Sequence, residues 1–132
     1  MDKYITTFKA LTDETRVRIL NLILISDIEL CACEFTDILN ITSYNISKHL
    51  KILKIANLIS IRKEGRMIFY SLRNNKDQFY NNILSSIQSI ESEVFEKDIK
   101  NYKKQIKLRI DINKPIGIQK ISLKSKNGIK CC

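Results

Sequence analysis

Between residues 33 and 72 the apolar period changes, and that change limits what the chain can fold into. Phe35, Ile38 and Leu39 recur at helical spacing, and a second stripe, Ile46, Leu50 and Leu53, recurs four and three residues apart. Such spacing places each set on one face of a helix. From Leu58 the pattern becomes strand-like: Leu58-Ile-Ser-Ile-Arg-Lys, then Glu64-Gly65, then Arg66-Met-Ile-Phe-Tyr-Ser-Leu. Two β-rich runs around a Gly-containing pair read as a hairpin. Two short helices at about 33–39 and 43–54, closed by a hairpin, form a helix-turn-helix with a wing.

The flanking segments complete a small domain. A short helix is expected over 2–11, with Tyr4, Phe8 and Leu11 on one face. Thr12 is expected to cap the next helix, with Asp13 and Glu14 in the first turn, where the helix dipole favours negative charge. Val17, Leu20 and Leu24 carry that helix to about residue 25. Thr42 or Ser43 caps the helix that follows 33–39, and Asn57 suits the left-handed conformation at its end. A long helix from about Lys76 to Glu96 is expected from Phe79, Ile83, Ile87, Ile90 and Val94. The expected fold class is mainly α with a small β-hairpin (α+β).

The second helix of the pair has two distinct sides. At ~100° per residue, Ile46, Leu50 and Leu53 lie about 200° around from Tyr44. The opposite side carries Tyr44, Lys48 and Lys51, flanked by Asn45 and Ser47. An apolar back and a polar front suit a helix that docks on its domain and enters a major groove. Ser43, Tyr44, Asn45 and Ser47 are placed to reach base edges. Lys48 and Lys51 suit phosphates, which position a protein without reading sequence. Arg62, Lys63 and Arg66 make the hairpin cationic. A lysine face alone is ordinarily a solvated surface, and the basic hairpin after it tips the balance towards DNA. His49 falls at the edge of the buried stripe and suits packing or an internal hydrogen bond.

Charge alone does not locate that face. The net charge is +9, but residues 1–96 carry 12 Lys/Arg and 12 Asp/Glu, while residues 97–132 carry 11 and 2. The chain is therefore divided into a winged-helix DNA-binding and dimerisation domain over 1–96 and a basic tail over 97–132. No apolar run approaches the ~18 residues of a membrane span, and no secretory signal opens the chain, so a cytoplasmic location with no membrane partner is expected. In that compartment four cysteines read as ligands or reactive thiols more readily than as structural disulfides.

The motif order then resembles a known family. Ser47-Lys-His-Leu-Lys-Ile-Leu-Lys, Asn57-Leu-Ile, Arg62-Lys-Glu-Gly-Arg and Tyr70-Ser-Leu look like the signature of the ArsR/SmtB family of metal-responsive winged-helix repressors. Phe8-Lys-Ala-Leu-Thr-Asp-Glu-Thr-Arg-Val-Arg-Ile-Leu is similar to its first conserved stretch. The resemblance covers about residues 4–96, with Asn57 where the family usually has Gly. It implies a repressor that binds double-stranded operator DNA as a homodimer through its first and last helices. The interface residues would be Tyr4, Phe8, Phe79, Ile83, Ile87, Ile90 and Val94.

Glu29-Leu-Cys-Ala-Cys-Glu34 opens the first helix of the motif. Thiolates favour soft ions, and Cys33 near a helix N-terminus gains thiolate character from the dipole. A Cys-x-Cys is also compatible with plain core packing. On a regular helix residues two apart point about 200° from each other. Cys31 and Cys33 can then share one ion only if the first turn unwinds or starts outside the helix, and unwinding would disturb the recognition helix. The segment resembles the arsenic- and antimony-responsive branch, which implies As(III) or Sb(III) as inducer. That branch has a further Cys where this chain has Thr36. Cys131 and Cys132 are candidates for the missing thiolate, or are exposed thiols prone to oxidation. A thiol redox switch, a sensor of another soft metal such as cadmium, and an architectural protein with inert cysteines remain open. An enzyme is not expected: there is no nucleophile–base set, only three Gly and a single His.

Overall fold

The computed structural model describes residues 1–74 and 77–109. Its elements are α1 (Asp2–Ala10), α2 (Glu14–Ile25), β1 (Leu30–Cys31), α3 (Ala32–Leu39), α4 (Ser43–Ile55), β2 (Ile59–Glu64), β3 (Met67–Leu72), α5 (Gln78–Gln88) and α6 (Glu93–Lys107). Among the described residues there are six helices and a three-stranded antiparallel sheet of order β1-β3-β2, with α2, α3 and α4 packed on the sheet. This is the mainly α winged helix-turn-helix expected from the period change.

The helices begin and end where local chemistry directs. Asp13 caps α2 by accepting the Arg16 backbone N–H at 3.1 Å. Thr12, expected to be the cap, instead donates its hydroxyl to Lys9 O. Thr42 caps α4 by accepting Asn45 N–H. At the other end of α4, Asn57 takes φ 58°. The Leu58 N–H reaches Leu53 O and the Asn57 N–H reaches Lys54 O, the paired bonds of a Schellman motif. Asn40 closes α3 in the same left-handed conformation.

The core gathers the predicted faces. Ile19, Leu20 and Leu22 of α2 meet Phe35 and Ile38 of α3, Ile46, Leu50 and Leu53 of α4, and Leu58. Tyr80 of α5 donates its hydroxyl to Leu58 O at 2.9 Å, tying the last helices to the junction between α4 and the hairpin.

The hairpin turns at Gly65 and Arg66, with Glu64 opposite Met67. Gly65 has φ +60° and Arg66 does not have positive φ, the signs of a type II′ turn with Gly first.

Two expectations change. The helix of 76–96 is two helices, because the chain breaks at Ser89–Ser92 and the Ser92 hydroxyl accepts Val94 N–H to start α6. The apolar stripe continued through a serine-rich corner whose side chains compete for backbone bonds. α6 then runs across position 96 and packs on α2 and α3. The sheet also has a third strand, β1, since Leu30 and Cys31 pair with Tyr70 and Phe69. Two residues are too few to show a period.

Candidate DNA face and thiol site

α4 presents its front as its sequence pattern implied. Ser43, Tyr44, Asn45, Ser47, Lys48 and Lys51 are all exposed, while Ile46, Leu50 and Leu53 are buried behind them. Tyr44 is 77% exposed, an unusual position for an aromatic ring in a single chain. His49 sits at the edge, as expected. Its Nδ1 lies 3.1 Å from Arg16 Nη1. A guanidinium only donates, so Nδ1 accepts and the ring is neutral. Burial lowers the His49 pKa. Asp13 opposes that shift, and Arg16 and Lys48 add to it. Arg16 also donates from Nε to Ala10 O at 2.6 Å, so one side chain joins the end of α1, α2 and the back of α4.

The wing's cations are not equivalent. Lys63 and Arg66 are exposed near the tip. Arg62 lies between two carboxylates, at 2.8 Å from Glu29 Oε1 and 2.9 Å from Glu64 Oε2. Its guanidinium also lies over the Phe69 ring, 4.5 Å from the centroid. Hydrogen bonds from Arg62 to Glu29 and Glu64 raise its pKa further above the ordinary arginine value.

The thiols converge without unwinding of a helix. Cys31 is both the last residue of β1 and the N-cap of α3, in extended conformation at φ −103°, ψ 167°. Cys33 is the second residue of the helix. A cap residue is not bound by helical angles, so the first turn starts outside the helix, and the sulfurs lie 2.8 Å apart. Cys31 is fully buried and Cys33 partly exposed, giving the pair one open side. Two thiolates suit a soft ion as part of a donor set. Among the described residues no group of three or more Cys, His, Asp or Glu side chains is poised to hold a metal. Thr36 donates its hydroxyl to Ala32 O in the next turn. Cys131 and Cys132 lie outside the described residues.

Beside the thiols is a charged network that sequence reasoning missed. Glu34, three residues after the cap, accepts the Cys31 N–H at 3.2 Å, the glutamate half of a capping box. The same carboxylate takes two bonds from Arg109, at 2.6 and 2.8 Å. Arg109 Nη2 further donates to Glu29 O at 3.0 Å. The signal that could have found Glu34 is its cap-x-x-Glu spacing from Cys31. Nothing in the basic tail singled out Arg109.

The stripe expected at a dimer interface divides. Ile83 and Ile87 turn into the core of the single chain. Tyr4 and Phe8 of α1 meet Phe79 of α5 edge to face, with centroids 4.7 and 5.6 Å apart. Phe8 remains 51% exposed, and Ile90 and Val94 are exposed at the corner between α5 and α6.

Comparison with known proteins agrees with this geometry. Residues 13–60 match the profile of bacterial regulatory proteins of the arsR family. An arsenic resistance transcriptional regulator of Pseudomonas putida is 32% identical over 91 residues, 69% of this chain and 70% of that protein. The arsenical resistance operon repressor of Bacillus subtilis is 39% identical over 83 residues, 63% and 75% of the two chains. A cadmium resistance regulatory protein CadC homolog of Staphylococcus aureus is 40% identical over 65 residues, 49% of this chain and about half (53%) of its own length. Among solved structures, HlyU of Vibrio cholerae superposes with a TM-score of 0.56 at 28% identity, covering 66% of this chain and 89% of that one.

Proposed function

The chain belongs to the arsR family of bacterial regulatory proteins and is a DNA-binding transcriptional regulator rather than an enzyme, and from that premise we propose that it represses an operator until trivalent arsenic or antimony binds Cys31 and Cys33. The observation that carries this reading is the 2.8 Å approach of the two sulfurs at the junction of α3 and the wing sheet. Two sulfurs that already face each other need only part by a small step to share a thiophilic ion.

The route to DNA needs no unfolding of α3. Cys31 pairs with Phe69 in the sheet, and Phe69 supports the Arg62 guanidinium. Glu29, two residues before Cys31, holds the same guanidinium. A shift of Cys31 on ion binding is thereby handed to the wing through β1 and to α4 through α3. In this proposal the front of α4 reads bases through Ser43, Tyr44, Asn45 and Ser47. Lys48, Lys51, Lys63 and Arg66 hold phosphates, while Arg62, paired with Glu29 and Glu64, holds the wing against β1.

Trivalent arsenic takes three sulfurs, and we assign the third to Cys131 or Cys132. Arg109 is bound to Glu34, which accepts the Cys31 N–H, and the 22 residues from there to Cys131 span up to roughly 70 Å extended, ample for a return. A homodimer through Tyr4, Phe8, Phe79, Ile90 and Val94 would read half-sites about 34–36 Å apart. The protein would work in the cytoplasm; among the described residues no helix is long and apolar enough to cross a membrane.

Operator binding in reducing buffer, titrated with arsenite, antimonite, cadmium and zinc, tests the reading. Release by arsenite or antimonite should disappear when Cys31 and Cys33 become Ser. Release by cadmium alone would reassign the ion. The same sulfur spacing supports a second reading, a dithiol that a peroxide-class oxidant converts to a disulfide with loss of two protons and two electrons. That reading wins if only oxidant, and no ion under full reduction, frees the DNA.

A further inference from the structure

Glu34 and Arg109 are the most deeply buried ion pair among the described residues, with side chains 0% and 1% exposed. Burying two charges is costly unless both are fully hydrogen-bonded, and such a pair is weak evidence for stability in itself. Here both are well supplied. Glu34 accepts the fork of Arg109 and the Cys31 N–H, and Arg109 also donates to Glu29 O. The pair joins the residue just past α6 to the backbone on both sides of Leu30, the first residue of the thiol strand.

We infer that Glu34 and Arg109 are positioning residues of the thiol site, so that the C-terminal end of α6 forms part of the ion-binding apparatus. This inference rests on the proposed sensing role of Cys31 and Cys33. Arg109 fixes the carboxylate, the carboxylate fixes the Cys31 amide, and the amide sets the extended cap conformation that turns Cys31 Sγ towards Cys33. Without the guanidinium, Glu34 is a buried carboxylate with one amide partner, and it moves towards water or draws water in. Either response frees the Cys31 backbone to leave the cap geometry. Partners one layer behind the ligands ordinarily change metal affinity ~10–100-fold when removed.

α6 offers its own control. Arg18 of α2 holds Asp98 of α6 through two 2.9 Å bonds, and Asp98 is 1% exposed. This is a second bidentate pair on the same helix, tied to α2 instead of the thiol strand. Breaking it loosens α6 without touching the Cys31 amide.

The experiment uses the full chain and compares Arg109→Met, Arg109→Lys and Asp98→Asn. Arsenite and cadmium affinities are measured under reduction, and hydrogen exchange at the Cys31 amide is followed by NMR with no ion present. Arg109→Met should weaken both ions by ~10-fold or more and speed Cys31 exchange at least tenfold. Arg109→Lys, which keeps the charge but not the fork, should fall between it and the parent. Asp98→Asn should lower Tm and leave both readouts unchanged. Should Arg109→Met fail to fold, the lysine variant decides alone. Equal effects of the Arg109 and Asp98 variants, or no effect of either, overturn the inference. A parent protein that binds neither ion defeats the sensing proposal, while the exchange rates still decide whether Arg109 positions Cys31.

Discussion

His49 is a neutral imidazole accepting from a guanidinium, and protonation would set two cations against each other. Its pKa is lowered in the folded chain, so the unfolded chain takes up the proton first. Stability is then fully present above the ordinary histidine value of about 6.5. It declines as the pH falls through that value and levels off below the lowered one. Denaturant midpoints measured from pH 8 to 5 should drop across this window, and His49→Gln, whose amide oxygen can still accept from Arg16, should flatten that part of the profile. Asn57 gives a second test at this scale. At φ 58° a β-branched side chain is strained, so Asn57→Val should cost about 1–2 kcal/mol, whereas Asn57→Gly should be nearly neutral. Urea unfolding of the two variants separates them.

At the scale of elements, the sequence was most legible where a period runs long enough to be read. α4 and the hairpin declared themselves through Ile46, Leu50 and Leu53 and through the alternation after Leu58. Their surfaces followed, including exposed Tyr44 and edge-placed His49. The α5–α6 corner was hidden because Ile90 and Val94 keep the helical phase of Ile83 and Ile87 across a break made by serine hydroxyls. β1 was hidden because strand pairing is a long-range property that Leu30 and Cys31 cannot show alone. The consequence for the thiols was large. Helical geometry argued that two cysteines at this spacing diverge, and a cap residue escapes that geometry. The wing carries its own prediction. Glu29→Gln weakens the hold on Arg62 and releases a cation for phosphate. Operator binding should tighten, and the slope of log K against log salt should steepen by about two contacts' share for a dimer, ~1.8. An unchanged slope would mean that Arg62 stays on the wing.

Across the whole molecule, association decides the function proposed. Phe8 is half exposed beside Phe79 and Tyr4, and neither Phe8 nor Tyr4 belongs to the core of one chain, while Phe79 packs against it. Phe8→Asp should therefore leave the circular dichroism spectrum intact, convert a dimer to a monomer in sedimentation, and weaken operator binding by orders of magnitude. Retained dimerisation would place the two-fold elsewhere. The charge of the molecule is also distributed unlike the first impression of a basic tail. Lys97, Lys100, Lys103, Lys104 and Lys107 are exposed along α6, a helix whose other face holds α2 and α3 through Asp98, Asn101, Tyr102 and Gln105.

A strand of two residues can yield at one end while the other stays buried. The pairing of Cys31 with Phe69 is one step of a two-residue ladder, while Leu30 stays packed in the core and Glu29 and Cys31 keep their bonds to Arg109 and Glu34. A backbone hydrogen bond contributes on the order of 1 kcal/mol net, out of a native stability of roughly 5–15 kcal/mol. Coupling between two binding sites typically amounts to about 1–3 kcal/mol, the same size. An effector that only unzips Cys31 from Phe69 could therefore change operator affinity through its full useful range while the hydrophobic core under α2, α3 and α4 stays closed. The regulator would answer its signal without approaching its own melting point, because the part that yields is small and the part that folds is elsewhere.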